Sequence, residues 1–354
     1  MKVSEILKVI DVDVHNELKK PQDLVPYLPE PWKTRVAASG IGMMGSGYWS
    51  PVGGMRKDTK PPDGGVEGSD PDYMLEQLLE EYKMEYVVLT GILYNISATH
   101  DPDFTAAIAS AYNDYLIAEW LPRSDKFKGA MVVSTGDPLL AAREIDRIAG
   151  HPDIIEVIIS SATREPLGHR MYHPIYEAAE RHGLPIAVHP GTEGTGGTGA
   201  PTSAGYPTRY IEWHTNLSQM FMAQLTSAVC EGVFVKFPNL KMVLLEGGVA
   251  WLPHLMWRLD KNYKALRAQV PWLTRLPSEY IRDHCFLSTQ PIEEPDNPKD
   301  LIRLFDMMDA ENILMFSSDY PHWDFDAPDA ILKRLSLEAR KKIFYENAKK
   351  LYKL

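Results

Sequence analysis

The chain has 354 residues, and its 37 Lys and Arg against 48 Asp and Glu leave a net charge of −11, which argues against nucleic-acid binding. Its 44% hydrophobic and 24% charged residues are typical of a globular protein, and no apolar run approaches the roughly 18 residues of a membrane span. Because the N-terminal stretch lacks signal-peptide features and there are only two cysteines, we expect a cytoplasmic protein without disulfides.

Short apolar or β-branched runs alternate with helical patterns along the whole chain. The runs predict eight strands, over residues 9–14, 86–89, 129–133, 154–159, 185–188, 241–245, 284–288 and 313–316. The helical patterns cover residues 72–82, 104–120, 138–149, 174–182, 217–231, 251–267 and 336–351. Eight such units predict one α/β domain over 1–354, a closed (β/α)8 TIM barrel. A doubly wound sheet is the alternative, but no phosphate-binding glycine loop follows an early strand.

Two long insertions follow predicted strands, over residues 21–72 and about 190–212. Both are rich in Pro or Gly, and both belong at the carboxyl-terminal rim of the barrel. Long rim loops commonly act as lids or binding loops. The glycine run GTEGTGGTG also resembles a phosphate cradle, but it lacks the P-loop lysine.

Charged and imidazole groups stand at the ends of several predicted strands. Asp13 and His15 share a face of the first strand, His189 ends the fifth and Asp319 follows the eighth. Such groups are costly in a barrel interior unless they are paired or bind a metal. Two neutral imidazoles and two carboxylates balance one divalent cation, so we predict a mononuclear metal site with an open position for water. Alternatively, Asp13 caps a loop, Asp319 initiates a turn and Asp11 forms a buried salt bridge.

Four segments carry a resemblance to a known family: IDVDVH (10–15), MYHPIYEAAERHGLPIAVHPG (171–191), FPNLKMVLLEGGVAWLP (237–253) and FSSDYPHWD (316–324). Together they resemble the amidohydrolase superfamily, in the branch that contains aminocarboxymuconate-semialdehyde decarboxylase and the aromatic-acid decarboxylases. The resemblance implies a metal-dependent TIM barrel and a homodimer. It also implies metal ligation by Asp13, His15, His189 and Asp319.

The sequence departs from that branch at two positions. Asp13 stands where a His or Glu is usual, and its carboxylate makes the ligand set harder in the hard–soft sense. Zinc is favoured as the metal, with manganese or iron as alternatives. Glu246 stands where the branch usually has a His that activates water or polarises the substrate. Glu246 is therefore a candidate general base or further metal ligand, and a salt bridge to Arg258 or Lys241 is the alternative.

Further candidates belong to the two rim segments around residues 209–214 and 322–324. His214 is a candidate acid or base, or else a helix cap. Arg209 is a candidate partner for a substrate carboxylate, or else a surface residue. His322 is expected to bind substrate or to orient a metal ligand. Trp213 and Trp323 are expected to line the substrate site, with Asp324, Tyr48 and Trp49 as weaker candidates.

Hydrolysis is the first functional expectation from the sequence. In this hypothesis Glu246 or His214 deprotonates a metal-bound water. The resulting hydroxide attacks the carbonyl of a small organic acid derivative, which is an ester, thioester, lactone or amide, and Asp319 passes the proton to the leaving group. The alternative is a metal-dependent non-oxidative decarboxylase of an aromatic or enoic acid. A metal-holding barrel without catalytic activity is a third hypothesis.

Overall fold

Among the residues that the structure describes, eight parallel strands form one sheet whose spatial order follows the sequence. The computed structural model describes residues 7–42, 54–195 and 198–354. The strands are β1 (Ile10–Val14), β2 (Tyr86–Leu89), β3 (Phe127–Val132), β4 (Ile154–Ser160), β5 (Ile186–His189), β6 (Met242–Leu244), β7 (Cys285–Ser288) and β8 (Leu314–Met315). Each pairs in parallel with the next, in the order β1 to β8. This is the α/β barrel that the alternation of strands and helices predicted.

The barrel is closed by backbone hydrogen bonds between β1 and the end of β8. The N–H of Val12 donates to the carbonyl of Phe316 at 3.0 Å, and that of His15 donates to the carbonyl of Tyr320 at 2.7 Å. Because the strands are parallel, all their carboxyl ends lie at one rim. The closure therefore brings the residues after β8 next to the end of β1.

Helices surround the sheet. The α-helices are α1 (Trp32–Ser39), α2 (Pro71–Met74), α3 (Pro102–Tyr115), α4 (Pro138–Ile148), α5 (His173–His182), α6 (Tyr210–Thr215), α7 (Leu217–Cys230), α8 (Val233–Lys236), α9 (Leu252–Leu266), α10 (Pro277–His284), α11 (Pro298–Met308), α12 (Ala310–Ile313), α13 (Leu337–Lys341) and α14 (Asn347–Tyr352). Short 3₁₀ segments cover Pro21–Tyr27, Lys57–Thr59, Leu93–Ala98, Leu121–Arg123, Arg170–Tyr172 and Arg267–Gln269. Within the described ranges, no helix combines the length and apolarity that crossing a membrane requires.

Local capping explains where several of these helices begin. Asp70, Asp101, Asp137 and Asn297 each precede a proline at the first helical position, and each side chain accepts a backbone N–H of the first turn. The cap satisfies a donor that the helix leaves open, and proline needs no donor there.

The observed helices differ from the predicted ones in two ways. Those predicted over 72–82, 104–120 and 336–351 contain π-helical turns at Leu75–Glu80, Leu116–Trp120 and Lys342–Glu346. The sequence pattern did not predict α1, α6, α8, α10, α11 or α12, and His284, expected to begin β7, ends α10 instead. Such short helices are specified by their packing more than by sequence periodicity.

The predicted insertions lie between β1 and β2 and between β5 and α6, and the first contains α1. Tyr48 and Trp49 lie in residues 43–53, outside the described residues, so their expected roles stay predictions. In the second insertion the carboxylate of Glu193 is buried. It accepts hydrogen bonds from the hydroxyl of Ser161 and, at 2.8 Å, from the N–H of Gly191. These bonds fix the start of the glycine-rich segment against β4.

Candidate metal centre

Four side chains from three strand ends converge at the carboxyl-terminal rim. Asp13, His15, His189 and Asp319 are all buried, and each offers a donor atom within 4.8 Å of the others. His15 Nε2 lies 2.9 Å from Asp319 Oδ1 and 3.5 Å from Asp13 Oδ1. His189 Nε2 lies 3.3 Å from Asp13 Oδ2. The structure thus brings together all four residues that the sequence predicted as metal ligands.

The two imidazoles present the same nitrogen to the centre. Nδ1 of His15 lies 2.6 Å from the carbonyl of Gly91, and Nδ1 of His189 lies 2.7 Å from the carbonyl of Pro190. Each Nδ1 therefore donates a proton to a carbonyl, which leaves the lone pair of Nε2 free to bind a cation.

Several of the converging atoms are buried with few or no hydrogen-bond partners to offset the loss of water. Nε2 of His189 and Oδ2 of Asp13 have no hydrogen-bond partner within the described part of the chain, and the nearest acceptor to Nε2 of His15 is the Asp319 carboxylate at 2.9 Å. Burying polar atoms in this way is costly, and a divalent cation at their centre would satisfy all three. The donor set therefore fits one divalent metal ion.

Without a cation, the two carboxylates hold protons on the histidines. Burial opposes charge on His15, but the charge of Asp13 and the hydrogen bond to Asp319 raise its pKa to about 10. Burial similarly opposes charge on His189, and Asp13 and Glu246 still raise its pKa. For Asp319, burial favours the neutral acid, but His322 and His15 hold its pKa well below the usual range. The site therefore demands positive charge, as protons or as a metal ion.

Side chains outside the centre contact the predicted ligands. Thr90 Oγ1 donates to Asp13 Oδ1 at 2.8 Å, and Gln290 Nε2 donates to Asp319 Oδ2 at 3.2 Å. His322 Nδ1 lies 2.7 Å from Asp319 Oδ1, and its expected role in binding substrate or orienting this ligand stays a prediction. Sequence reasoning missed Thr90 and Gln290, because uncharged residues after strands carry no distinctive signal.

The structure places Asp11 beside the ligands but outside their cluster. Its Oδ1 accepts the N–H of Asp13 at 3.2 Å and that of Ser318 at 2.9 Å. These bonds replace the salt bridge considered from the sequence. Burial raises the pKa of Asp11 to about 7.

A second cluster adjoins the first. His214 Nε2 lies 3.4 Å from Glu246 Oε1 and 3.3 Å from Asp324 Oδ2, and Oε2 of Glu246 lies 3.3 Å from His189 Nε2. Neither partner of the alternative salt bridge reaches Glu246: Lys241 donates to the carbonyl of Asp283 at 2.6 Å, and Arg258 is exposed on α9.

Backbone strain occurs at two of the strand-end carboxylates. Glu246 and Asp319 adopt positive φ angles of 57° and 60°, in the left-handed region that non-glycine residues avoid. Strain of this kind clusters at functional sites, where it aims a side chain that relaxed backbone would direct elsewhere.

Aromatic rings border the second cluster. The Tyr210 ring stacks on His214 at 5.4 Å, and Trp323, 52% exposed, approaches the His214 ring at 5.8 Å. Trp213 is buried behind them, and Arg209 is exposed at the residue before α6. The substrate-binding roles of Arg209, Trp213 and Trp323 stay predictions.

Tyr94 is a further residue of the site that sequence reasoning missed. It follows β2 in a 3₁₀ segment, is buried, and its ring centroid lies 4.6 Å from that of His189. Burial and the nearby charges of Glu246, Asp13 and Asp319 raise its pKa well above the usual value. A neutral phenol therefore faces the carboxylates.

Comparisons with known proteins agree with this fold and centre. The family model described as Amidohydrolase matches residues 10–354. The curated relatives include gamma-resorcylate decarboxylases of Polaromonas sp. JS666, 25% identical over 295 residues, and of Rhodococcus jostii RHA1, 26% identical over 312 residues. Each match covers 78% of this chain and 86% of the relative.

Solved structures with the same fold include two manganese-bound enzymes. A 5-carboxyvanillate decarboxylase of Novosphingobium aromaticivorans has a TM-score of 0.72 at 20% identity, with 98% of this chain and 96% of that chain covered. A dihydroxybenzoic acid decarboxylase of Polaromonas sp. JS666 has a TM-score of 0.69 at 20% identity, with 98% and 97% covered. The family match spans nearly the whole chain, including all four converging residues, and the chain therefore belongs to the amidohydrolase family.

Proposed function

We propose that the protein is a metal-dependent carboxy-lyase that removes the carboxyl group of a hydroxylated aromatic acid. The observation that carries this proposal is the similarity to two gamma-resorcylate decarboxylases over 78% of the chain, together with a buried donor set that fits one divalent ion. This support favours decarboxylation, the alternative in the sequence analysis, over the hydrolysis expected first. Zinc as the resident metal and a homodimer stay predictions.

The reaction places simple demands on the site. The bond between the ring carbon and the carboxylate breaks, its electron pair stays on the ring carbon, a proton takes the vacated position, and carbon dioxide leaves. A divalent ion held by Asp13, His15, His189 and Asp319 would supply a Lewis acid that binds and orients substrate oxygens. The protein must then deliver one proton and keep the ring in place.

Asp319 and His322 are suited to deliver that proton. His322 Nδ1 lies 2.7 Å from Asp319 Oδ1, and the side chain of His322 is 24% exposed whereas that of Asp319 is 1% exposed. His322 can therefore exchange protons with solvent and pass them to Asp319, which faces the buried centre. This assignment retains the proton-transfer role predicted for Asp319.

The surroundings of the centre suit a flat, hydroxylated ring. Tyr94 provides a buried aromatic face beside His189. Tyr210 and Trp323 border the open side, where the indole N–H lies 3.5 Å from the phenol oxygen. Aromatic side chains prefer offset or edge-to-face contact with other rings, so this border favours an aromatic acid over an aliphatic one.

The experiment compares two substrate panels with the same metal-loaded protein. Protein loaded with Mn²⁺ or Zn²⁺ is incubated with mono- and dihydroxybenzoates, and carbon dioxide release is measured. Parallel reactions contain aryl esters, lactones and amides, with acid release as the readout. We expect carbon dioxide from at least one hydroxybenzoate and no hydrolysis above background.

Matched variants complete that design. His189→Ala removes a predicted ligand and should abolish carbon dioxide release, whereas His254→Ala, at an exposed position of α9, should leave it unchanged. Hydrolysis that requires metal and His189, with no carbon dioxide from any benzoate, would refute the proposal in favour of the hydrolase.

A further inference from the structure

We propose that His214, Glu246 and Asp324 form a second divalent-cation site beside the first, with Glu246 bridging the two ions. The inference rests on the side-chain geometry at this rim and does not depend on which reaction the enzyme catalyses. Three chain segments contribute: His214 lies on α6, Glu246 follows β6 and Asp324 follows β8.

The imidazole–carboxylate separations within this cluster are longer than the one between His322 and Asp319 in the first centre. His214 Nε2 lies 3.4 Å from Glu246 Oε1 and 3.3 Å from Asp324 Oδ2. By contrast, His322 Nδ1 lies only 2.7 Å from Asp319 Oδ1. Charge-assisted hydrogen bonds are about 2.7–2.9 Å long. Ligand atoms with bonds of about 2.1 Å to one metal lie about 3.0–3.4 Å apart in octahedral or tetrahedral geometry.

Burial makes these separations costly without a cation. Nε2 of His214 and Oδ2 of Asp324 have no hydrogen-bond partner among residues 7–42, 54–195 and 198–354, and both atoms are shielded from solvent. The side chains of His214, Glu246 and Asp324 are only 14%, 8% and 12% exposed. The separation of 3.3 Å between His214 Nε2 and Asp324 Oδ2 equals that between His189 Nε2 and Asp13 Oδ2 in the first centre.

Charge balance leads to the same conclusion. Two carboxylates and a neutral imidazole carry −2, which one divalent cation neutralises. A proton on His214 would leave one negative charge in a largely buried cluster that already adjoins the carboxylates of the first centre. Oxygen-rich donors with one imidazole suit Mn²⁺ or Zn²⁺.

Glu246 connects the two sites. Its Oε2 lies 3.3 Å from His189 Nε2 of the first centre, and its Oε1 faces His214. A carboxylate with one oxygen toward each centre is placed to bridge two ions, which in two-metal enzymes lie about 3.5–4 Å apart. This role selects ligand over general base for Glu246, which the sequence left open.

Neighbouring groups hold the other two donors in place. The ring of His214 stacks on Tyr210 at an interplanar angle of 25°. Gln290 Nε2 donates to the backbone carbonyl of Asp324 at 3.3 Å and also to Asp319 Oδ2 at 3.2 Å. Gln290 therefore links the segment of the second cluster to a ligand of the first, which keeps both donor sets in register.

The test counts metal ions per chain. The protein is stripped with a chelator, loaded with excess Mn²⁺, passed through a desalting column and analysed by elemental mass spectrometry. Wild type should retain two ions per chain, and His214→Ala and Asp324→Ala should each retain one. His254→Ala is the matched control and should retain two.

Electron paramagnetic resonance adds a readout independent of activity. Two Mn²⁺ ions bridged by a carboxylate should give the spectrum of a spin-coupled pair, and His214→Ala should give the spectrum of isolated Mn²⁺. One ion per chain in wild type would overturn the inference, as would two ions in both variants. Because one ion per chain in wild type refutes the inference without any variant, the test survives a variant that fails to fold.

The two proposals fail in distinguishable ways. One ion per chain with carbon dioxide release would refute the second site and leave the carboxy-lyase standing. Two coupled ions without carbon dioxide from any hydroxybenzoate would refute the carboxy-lyase and leave the second site standing.

Discussion

His15 and Asp319 lie face to face across the closure of the barrel, with Nε2 of one 2.9 Å from Oδ1 of the other. The same junction is held by backbone hydrogen bonds from His15 to Tyr320 at 2.7 Å and from Asp319 to Asp13 at 3.2 Å. The contact between the first and last strands thus fixes the distance between two predicted ligands. Changes that loosen the closure should weaken metal binding even when every ligand is retained.

Thr90 offers a direct test of ligand orientation. Its hydroxyl donates to Asp13 Oδ1 at 2.8 Å, and loss of such an outer hydrogen bond typically costs about 10–100-fold in metal affinity. Thr90→Val should raise the dissociation constant for Mn²⁺ by about that factor, as measured by competition with a chelating dye. Thr90→Ser keeps the hydroxyl and should bind like wild type; equal affinity in Thr90→Val would contradict the assignment.

Asp11 should stabilise the fold through the closure. Its carboxylate accepts two buried backbone N–H groups, from Asp13 and Ser318, and each buried donor left unpaired costs about 1–3 kcal/mol. We expect Asp11→Ala to lower the free energy of unfolding of the metal-free protein by about 2–6 kcal/mol in urea titrations. Asp11→Asn retains an acceptor oxygen and should lose less. An Asp11→Ala variant as stable as wild type would show that the bonds contribute little.

Metal binding should release protons. In the metal-free protein the neighbouring carboxylates raise the pKa of His15 to about 10 and also raise that of His189, whereas both must be neutral at Nε2 to bind metal. Affinity for Mn²⁺ should therefore rise as pH increases from 6 to 8. Calorimetric titrations in buffers of different ionisation enthalpy should report roughly two protons released per ion at the first centre. A binding enthalpy independent of the buffer would contradict this expectation.

Glu156 should make the metal-free protein less stable as pH rises. Burial raises the pKa of this β4 carboxyl group to about 8, and the Tyr352 hydroxyl donates to its Oε2 at 2.8 Å. Between the usual glutamate pKa of 4.5 and about 8 the folded state binds more protons than the unfolded state, so the free energy of unfolding falls as pH increases. The slope is at most about 1.4 kcal/mol per pH unit.

The Glu156→Gln variant isolates that effect. It removes the titration but keeps an oxygen for Tyr352, so its stability should increase relative to wild type as pH rises from about 4.5 to about 8. Glu165→Gln, at an exposed position, should follow the wild-type curve. Parallel curves for Glu156→Gln and wild type would show that Glu156 titrates normally.

The fold and the first centre were predictable because they depend on regular features. Strand–helix alternation specifies a parallel barrel, and a barrel brings the ends of all strands together, so Asp13, His189 and Asp319 could be grouped from their positions alone. By contrast, His214 on the short helix α6 and Asp324 in the loop after β8 reach Glu246 through connections whose path no sequence period encodes. Hydrolysis and decarboxylation use the same metal ligands, so the ligand pattern could not separate them.

Anomalous diffraction from crystals of the Mn²⁺-loaded protein tests the central claim most directly. The account predicts a manganese peak enclosed by Asp13, His15, His189 and Asp319, with their donor atoms at bonding distances of about 2.0–2.3 Å. Metal-replete crystals with no peak among these four residues, and with His15 and His189 hydrogen-bonded to the carboxylates instead, would contradict it.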